Sequence, residues 1–241
     1  MFGCELLSLP LGYPTNLNRA MAIVIAIDGP AGAGKSTIAR KLASRLGYIY
    51  IDTGAMYRAV ALWALRQSVP LDDMHRLDQL AQAAEIRFES SGSRVFLNGE
   101  DVSALIRNPE VSAAASQVAA VPAVRRALVV KQRELAENFN VVMEGRDVGT
   151  VVFPDAKLKI YLDANKGERV RRRAEETGND AERIASQLAE RDRRDQTRTT
   201  APLTQAPDAV YLDSTGLSPE AVEEEILRLL RSRITNGKEH H

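Results

Sequence analysis

The chain has 241 residues, 44% of them hydrophobic and 27% charged, enough for one large α/β domain or two small ones. Lysine and arginine balance the acids at 32 each for a formal net charge of zero, which argues against a general nucleic-acid binder held by bulk charge, and the longest apolar runs fall far short of the roughly 18 residues of a membrane span. Cys4 is the sole cysteine, so no intramolecular disulfide forms, as fits a reducing cytoplasm.

Residues 1–20 carry Gly3, Pro10, Gly12 and Pro14 without periodicity and lack the basic and apolar regions of a signal peptide. Two readings compete there: a disordered leader, or an over-extended start with Met21 as the first native residue. Ala22–Ile27 (AIVIAI) is a continuous apolar run of the kind that forms a buried parallel strand. It leads into a glycine-rich turn and then IARKLASRL, apolar at helical spacing. Tyr48–Asp52 predicts a second strand, followed by a helix from about Gly54 to Gln67 that ends before Pro70, and another helix within 71–85. IRFE and RVFL alternate on either side of SSGS, and Asn98-Gly99 is a further turn signal; together they predict a small antiparallel excursion near 86–106. Pro109 and Pro122 open helices expected near 110–119 and 122–138. Asn140–Gly145 predicts a third core strand, followed by a loop through Pro154, and Leu158–Ala164 a fourth. Charged helices are expected at 166–177 and 180–196, a fifth strand at Val210–Ser214, and a last helix with Ser218 as N-cap and Pro219 at its first position. The end, 234–241, reads as a frayed tail whose His240 and His241 are no metal site. Strands alternating with helices predict a mostly parallel sheet covered on both faces.

Gly29-Pro30-Ala31-Gly32-Ala33-Gly34-Lys35-Ser36 matches G-x-x-x-x-G-K-[ST] in full. Phosphate oxygens must come close to backbone N–H groups, so side chains have to be absent at the glycines. The helix that follows points its positive end at them. Lys35 is placed to reach the β- and γ-phosphates of a nucleoside triphosphate, and the Ser36 hydroxyl to ligate Mg²⁺; Thr37 belongs to the same cradle. Such a loop names the donor and leaves the acceptor open. Ligands of open parallel sheets lie beyond the carboxyl ends of the strands. There the sequence puts Thr53, a helix cap or an acceptor contact, and Arg58, an acceptor contact or a surface residue. It also puts there Glu144-Gly145-Arg146-Asp147, either a structural ion pair or a site in which Glu144 orients Mg²⁺ through water, Arg146 clamps a phosphate and Asp147 accepts a sugar hydroxyl. Nine arginines fall between 168 and 198. Pairs such as Glu168–Arg172 and Arg171–Glu175 support a plain solvated face and account for about half of them. Arg191, Arg194 and Arg198 lie where converging guanidinium groups would stabilise a phosphoryl group in transfer.

IDGPAGAGKST, IDTGAMYR, ASQVAAVPAVR, EGRDVGTVVFPDA, KIYLDA and RDRRDQTR…APL, in this order from about Met21 to Arg233, resemble bacterial-type cytidylate kinases, a family of nucleoside monophosphate kinases. The resemblance implies a P-loop kinase of α/β class, with a five-stranded parallel sheet, an inserted monophosphate-binding part (54–138, with the antiparallel insert near 86–106) and a helical lid (165–197), all within 21–233. It implies transfer of the γ-phosphoryl group of ATP to CMP or dCMP with Mg²⁺, in the cytoplasm, by a monomer with no membrane or nucleic-acid partner. By position, Thr53, Arg58, Ser116, Arg125, Arg146, Asp147, Arg194, Asp195 and Arg198 would handle CMP. Ser116, Arg125 and Asp195 would read the cytosine edge and Asp147 would hold the sugar. Arg58, Arg146, Arg191 and Arg194 would hold phosphates, with Lys35, Arg146, Arg191 and Arg194 catalytic, and Ser36 and Glu144 on the metal. Some members carry Ser at the position of Thr53 and Asp at that of Glu144. Three rival readings remain: a P-loop kinase for another small metabolite; a GTP switch, for which Asn165-Lys166-Gly167-Glu168 imitates a guanine-reading motif but ends in Glu and reads as a helix start; and RNA binding through RVRRR, weakened by the balanced charge and the missing aromatic platform.

Overall fold

A computed structural model describes residues 22–89, 94–178 and 180–236. The leader, the SSGS turn, Asn179 and most of the tail lie outside the described residues. The core is a five-stranded, all-parallel sheet of β1 (Val24–Asp28), β2 (Ile49–Asp52), β6 (Val141–Gly145), β7 (Leu158–Asp163) and β8 (Val210–Asp213), in spatial order β2-β6-β1-β7-β8. These are the five strands expected from sequence, each within two residues of its expected ends. β1 is buried along its whole length, which is why it reads as an unbroken apolar run rather than an alternation.

Alternate residues serve two cores. Ile25, Ile27, Tyr50, Val142, Leu158, Ile160 and Leu162 face α1 (Lys35–Leu46) and α8 (Pro219–Asn236). Ala26, Ile49, Ile51, Val141 and Met143 face the larger cluster built from α2 (Thr53–Arg66), α4 (Pro109–Val118) and α5 (Pro122–Ala136). Each fully buried branched side chain contributes roughly 1.5–3 kcal/mol to this packing. Against the same cluster lie α3 (Met74–Ala83) and the antiparallel sheet of β3 (Ile86–Phe88), β4 (Val95–Leu97) and β5 (Glu100–Asp101), where the antiparallel excursion was expected. α6 (Lys166–Thr177) and α7 (Ala181–Thr197) pack on each other through a third, small cluster that includes Ala31.

Two local expectations are corrected. The stretch after β6 is not a plain loop: Val148–Val152 forms a single π-helical turn. It forms because the buried Asp28 carboxylate accepts the Val148 and Gly149 N–H groups at 2.9 and 2.7 Å. α2 begins at Thr53, and its cap is Asp52, whose side chain accepts the Ala55 N–H at 2.9 Å. The hydroxyl of Thr53 is thereby free for other work. Among the described residues no single helix is long and apolar enough to cross a membrane; α4 and α5 pass that test only as a pair bent by 101°, and the apolar faces of both are buried in the core.

Candidate functional site

The turn from β1 into α1 is a cradle of backbone amides. Gly29, Gly32 and Gly34 have φ of 148°, 77° and 88°, conformations other residues adopt only under strain. Gly34 is the N-cap of α1 and no side chain caps the helix, so its first-turn N–H groups remain available to an anion. The requirement is strictest at Gly29, where a Cβ would sit 1.9 Å from the Leu162 carbonyl oxygen. Gly29→Ala is therefore expected to displace the loop from β7. A clash of this kind costs about 2 kcal/mol or more, a fall in melting temperature of roughly 4–8 °C, with triphosphate binding lost in a fluorescence titration; full binding by a normally stable variant would refute the account.

Lys35 is buried at the floor of the cradle and donates to the Pro30 carbonyl at 2.6 Å. Burial, then the neighbouring Arg146, lowers its ammonium to about 7, against the opposing pull of Glu144. Glu144, at the end of β6, is 4% exposed. Burial, with Asp52 close by, raises its carboxyl above the usual range, while Lys35 and hydrogen bonds from Ser36 and Tyr50 work in the other direction. Asp28 sits beneath the same floor, raised to about 6 by burial against the two backbone N–H groups it accepts. Ser36 and Glu144, which lie close together at this floor, form an all-oxygen pair suited to a hard divalent cation. Among the described residues no group of three or more His, Cys, Asp or Glu could hold a metal, so a cation here would take its other ligands from bound phosphates and water, as Mg²⁺ commonly does.

A second polar cluster lies across the site, nearly all of it buried. Arg125 is 3% exposed, pairs with Asp147, and lies 5.5 Å over the Tyr57 ring. Arg198 approaches the other Asp147 oxygen at 3.6 Å and Asp195 at 3.9 Å. Asp195 accepts from Arg146 Nε at 2.9 Å. Burial would raise the Asp195 carboxyl, but Arg146, Arg191 and Arg198 together hold it below its ordinary value. The chain of charges is continuous and yet incomplete: the Ser116 hydroxyl, Arg125 Nε, Arg198 Nη2 and Arg58 Nε are buried without hydrogen-bond partners. Orphaned donors of this kind are costly in a finished interior. Ser116, Arg194, Asp195 and Arg198 line one cleft with Leu71 and Met74.

The residues singled out from sequence thus fall in two adjoining groups. Gly29–Thr37, Lys35 and Glu144 make the cradle. Ser116, Arg125, Arg146, Asp147, Asp195 and Arg198 make the polar cluster. Thr53 sits between them, its hydroxyl donating to the Glu144 carbonyl at 2.7 Å. Arg58 is not a free surface residue, because it pairs with Asp52 at 2.7 Å. Arg191 and Arg194 part company. Arg191 is held low, near 10, by burial and by Arg146, and stands near Lys35 and Asp195. Arg194 pairs with Glu190 at 2.6 Å on the exposed side of α7 while lining the cleft.

Sequence reasoning missed the residues that dock the α6–α7 pair onto the cradle. Arg169 is 7% exposed and donates to the Ala31 carbonyl at 3.0 Å and to Asp192 at 2.5 Å, while Asp192 accepts the Ala31 N–H at 3.3 Å. Arg172 donates to Ser214 and reaches the Ala33 carbonyl at 3.4 Å. Their neighbours Arg171, Arg173 and Arg193 make i,i+3 or i,i+4 pairs with glutamates instead, and a run of similar arginines gives no signal of which ones turn inward.

Comparison with known proteins extends these observations to the whole chain. A family model described as cytidylate kinase matches residues 25–232. A cytidylate kinase of Solibacter usitatus (strain Ellin6076) is 62% identical over 224 residues, which span 90% of this chain and 96% of that protein. A cytidylate kinase of Caldanaerobacter subterraneus subsp. tengcongensis is 49% identical over 223 residues, 90% of this chain and 98% of the relative. Among solved structures, a gluconokinase from Sinorhizobium meliloti 1021 superimposes with a TM-score of 0.52 at 14% identity, covering 92% of this chain and 100% of that one; at that identity the likeness concerns the fold alone.

Proposed function

The chain belongs to the cytidylate kinase family, and from that premise we propose that it transfers the γ-phosphoryl group of ATP to CMP or dCMP, giving ADP and CDP or dCDP. The observation that carries this reading is the set of orphaned donors on Ser116, Arg125 and Arg198, buried beside the carboxylates of Asp147 and Asp195 and opposite the amide cradle. A pyrimidine edge and a sugar offer the acceptors and hydroxyls that such a set lacks. In this reading residues 54–138 supply the acceptor side and 165–197 the lid over it. We propose that the reaction runs in the cytoplasm and in a monomer, with no membrane or nucleic-acid partner.

Each residue then has a task. The amides of Gly29–Ser36 and Thr37, with Lys35, hold the triphosphate. Arg58, Arg146 and Arg194 hold the acceptor phosphate, with Arg58 exchanging its Asp52 partner for it. Arg191, which makes no hydrogen bond or ion pair with a described residue, is left to meet the charge of the phosphoryl group in transfer. Ser36 and Glu144 would hold Mg²⁺, which would supply positive charge against the phosphates. No general base is needed, because the acceptor phosphate is already a dianion at neutral pH and orientation with charge neutralisation suffices. The Arg169–Asp192 contact keeps the lid seated on Ala31, where it excludes the water that would otherwise accept the phosphoryl group.

ADP release with ATP, Mg²⁺ and a panel of CMP, dCMP, UMP, AMP, GMP and shikimate tests the proposal. Stimulation by CMP and dCMP is expected; none above buffer defeats it. Ser116→Ala, which deletes one neutral hydrogen bond, is expected to raise the KM for CMP about 3–10-fold and to leave the KM for ATP unchanged. Equal changes in both would remove Ser116 from the acceptor side.

A further inference from the structure

We propose that Tyr50 is a positioning residue for the cation side of the site, its hydroxyl fixing the Glu144 carboxylate so that the remaining oxygen is offered to Ser36 and a divalent cation. The inference rests on the reading of Ser36 and Glu144 as the metal-holding pair.

Tyr50 lies in the middle of β2, 2% exposed. Its side chain packs in the cluster that contains Ile38, Ala39 and Leu42 of α1. A phenylalanine would supply the same apolar body, so the hydroxyl is the part that packing does not explain. A buried tyrosine hydroxyl needs a partner, and this one donates to Glu144 Oε1 at 2.5 Å. The register makes the meeting possible. Tyr50 pairs with Val142 and Asp52 with Glu144 across β2 and β6, so Glu144 lies two residues along, on the same face of the sheet as the phenol. That face is covered by α1, whose first turn carries Ser36. Ser36 and Arg40 are one turn apart on α1, and the Arg40 guanidinium stands 5.4 Å over the Tyr50 ring.

The consequence is geometric. A glutamate has three side-chain torsions, and Asp52, its neighbour across the strands, repels it. With Oε1 tied to Tyr50 and Ser36 close by, the carboxylate is held in place before any nucleotide arrives. Partners of this kind, which hold a metal-facing group without touching the metal, typically change metal affinity 10- to 100-fold when removed.

The test measures binding rather than turnover, on the full chain without acceptor. ATP is titrated by calorimetry in EDTA and in excess Mg²⁺, and the ratio of the two Kd values gives the gain due to the cation. Tyr50→Phe is expected to shrink that gain about 10-fold or more while the Kd for metal-free ATP stays within about twofold. Glu144→Gln is expected to lose the gain as well, and the double variant to be no worse than Glu144→Gln alone. If Tyr50→Phe keeps the full gain, if the two losses add, or if metal-free binding falls as much as metal-bound binding, the positioning role is overturned and the metal pair stands. If the wild type shows no gain, or Glu144→Gln retains it, the metal pair itself falls and the role of Tyr50 with it. Thermal melts accompany each variant, and Tyr50→Leu, which also lacks the hydroxyl, answers the same question if the phenylalanine variant does not fold.

Discussion

Replacing Lys35 with alanine is expected to lower kcat about 10²–10³-fold, the usual cost of deleting one preorganised donor to developing charge, and to leave the melting temperature unchanged or raised. The second half of this expectation comes from the state of the free site. Burial, followed by the proximity of Arg146, pushes the Lys35 ammonium down to about 7, well below the roughly 10.4 of an unfolded chain. Between those values the unfolded chain binds the additional proton. Lys35 therefore costs stability at every pH below about 7, and the cost fades as pH rises toward 10. Triphosphate oxygens reverse the balance by giving the ammonium an opposite charge. At pH 8, ATP binding should accordingly take up close to one proton, visible as a dependence of the calorimetric enthalpy on buffer ionisation heat. Lys35→Met, which keeps the apolar stem, should abolish that uptake. A wild-type protein that binds ATP at pH 8 without proton uptake would refute this account of the lysine.

The parts of the fold that were legible share one property: their signals are local. The run AIVIAI is short and unbroken in its apolar character, as suits a strand buried on both faces, and the glycines that follow suit a backbone that something approaches closely. The π-helical turn at 148–152 had no such signal. It depends on Asp28, some 120 residues earlier, presenting a buried carboxylate to two N–H groups, and no local preference of Val148-Gly149-Thr150 announces that. Thr53 shows the same limit at smaller scale: two adjacent residues could each have capped α2, and tertiary structure gave the cap to Asp52 because the Thr53 hydroxyl reaches the Glu144 carbonyl. Ser116 was named only through resemblance, since a small residue in a helix is unremarkable until its hydroxyl is seen to be buried and unpartnered. Among the lid arginines, i,i+4 arithmetic identifies the outward pair of Arg171 with Glu175 correctly, but it also pairs Glu168 with Arg172, which in the structure reaches Ser214 and the Ala33 carbonyl as well. Charge spacing along one helix cannot tell an arginine that is satisfied from one that has a second partner across the site.

The Arg125–Asp147 pair gives the other large expected effect, and burial changes how it must be tested. Arg125→Ala looks from sequence like a probe of acceptor binding alone. With both partners under one-tenth exposed, it also leaves Asp147 as a buried charge with only Arg198, 3.6 Å away, to meet it. Removing one partner of a buried pair costs about 3–5 kcal/mol, or a fall in melting temperature of roughly 6–20 °C for a chain of this size. A weakened KM for CMP would then be confounded with partial unfolding. The double variant Arg125→Ala/Asp147→Ala separates the two. It removes the uncompensated charge, so much of the lost stability should return, while acceptor binding should not return because both proposed contacts are gone. ATP affinity should match the wild type in the double variant. If stability stays low in the double variant, the pair is not what holds this region together. If CMP affinity recovers along with stability, the cluster serves structure, and the acceptor must be held elsewhere. Both outcomes are readable because the charges form a local chain running from Arg125 through Asp147, Arg198 and Asp195 to Arg146, in which deleting the first cation–anion pair leaves Arg198 and Arg146 still facing Asp195.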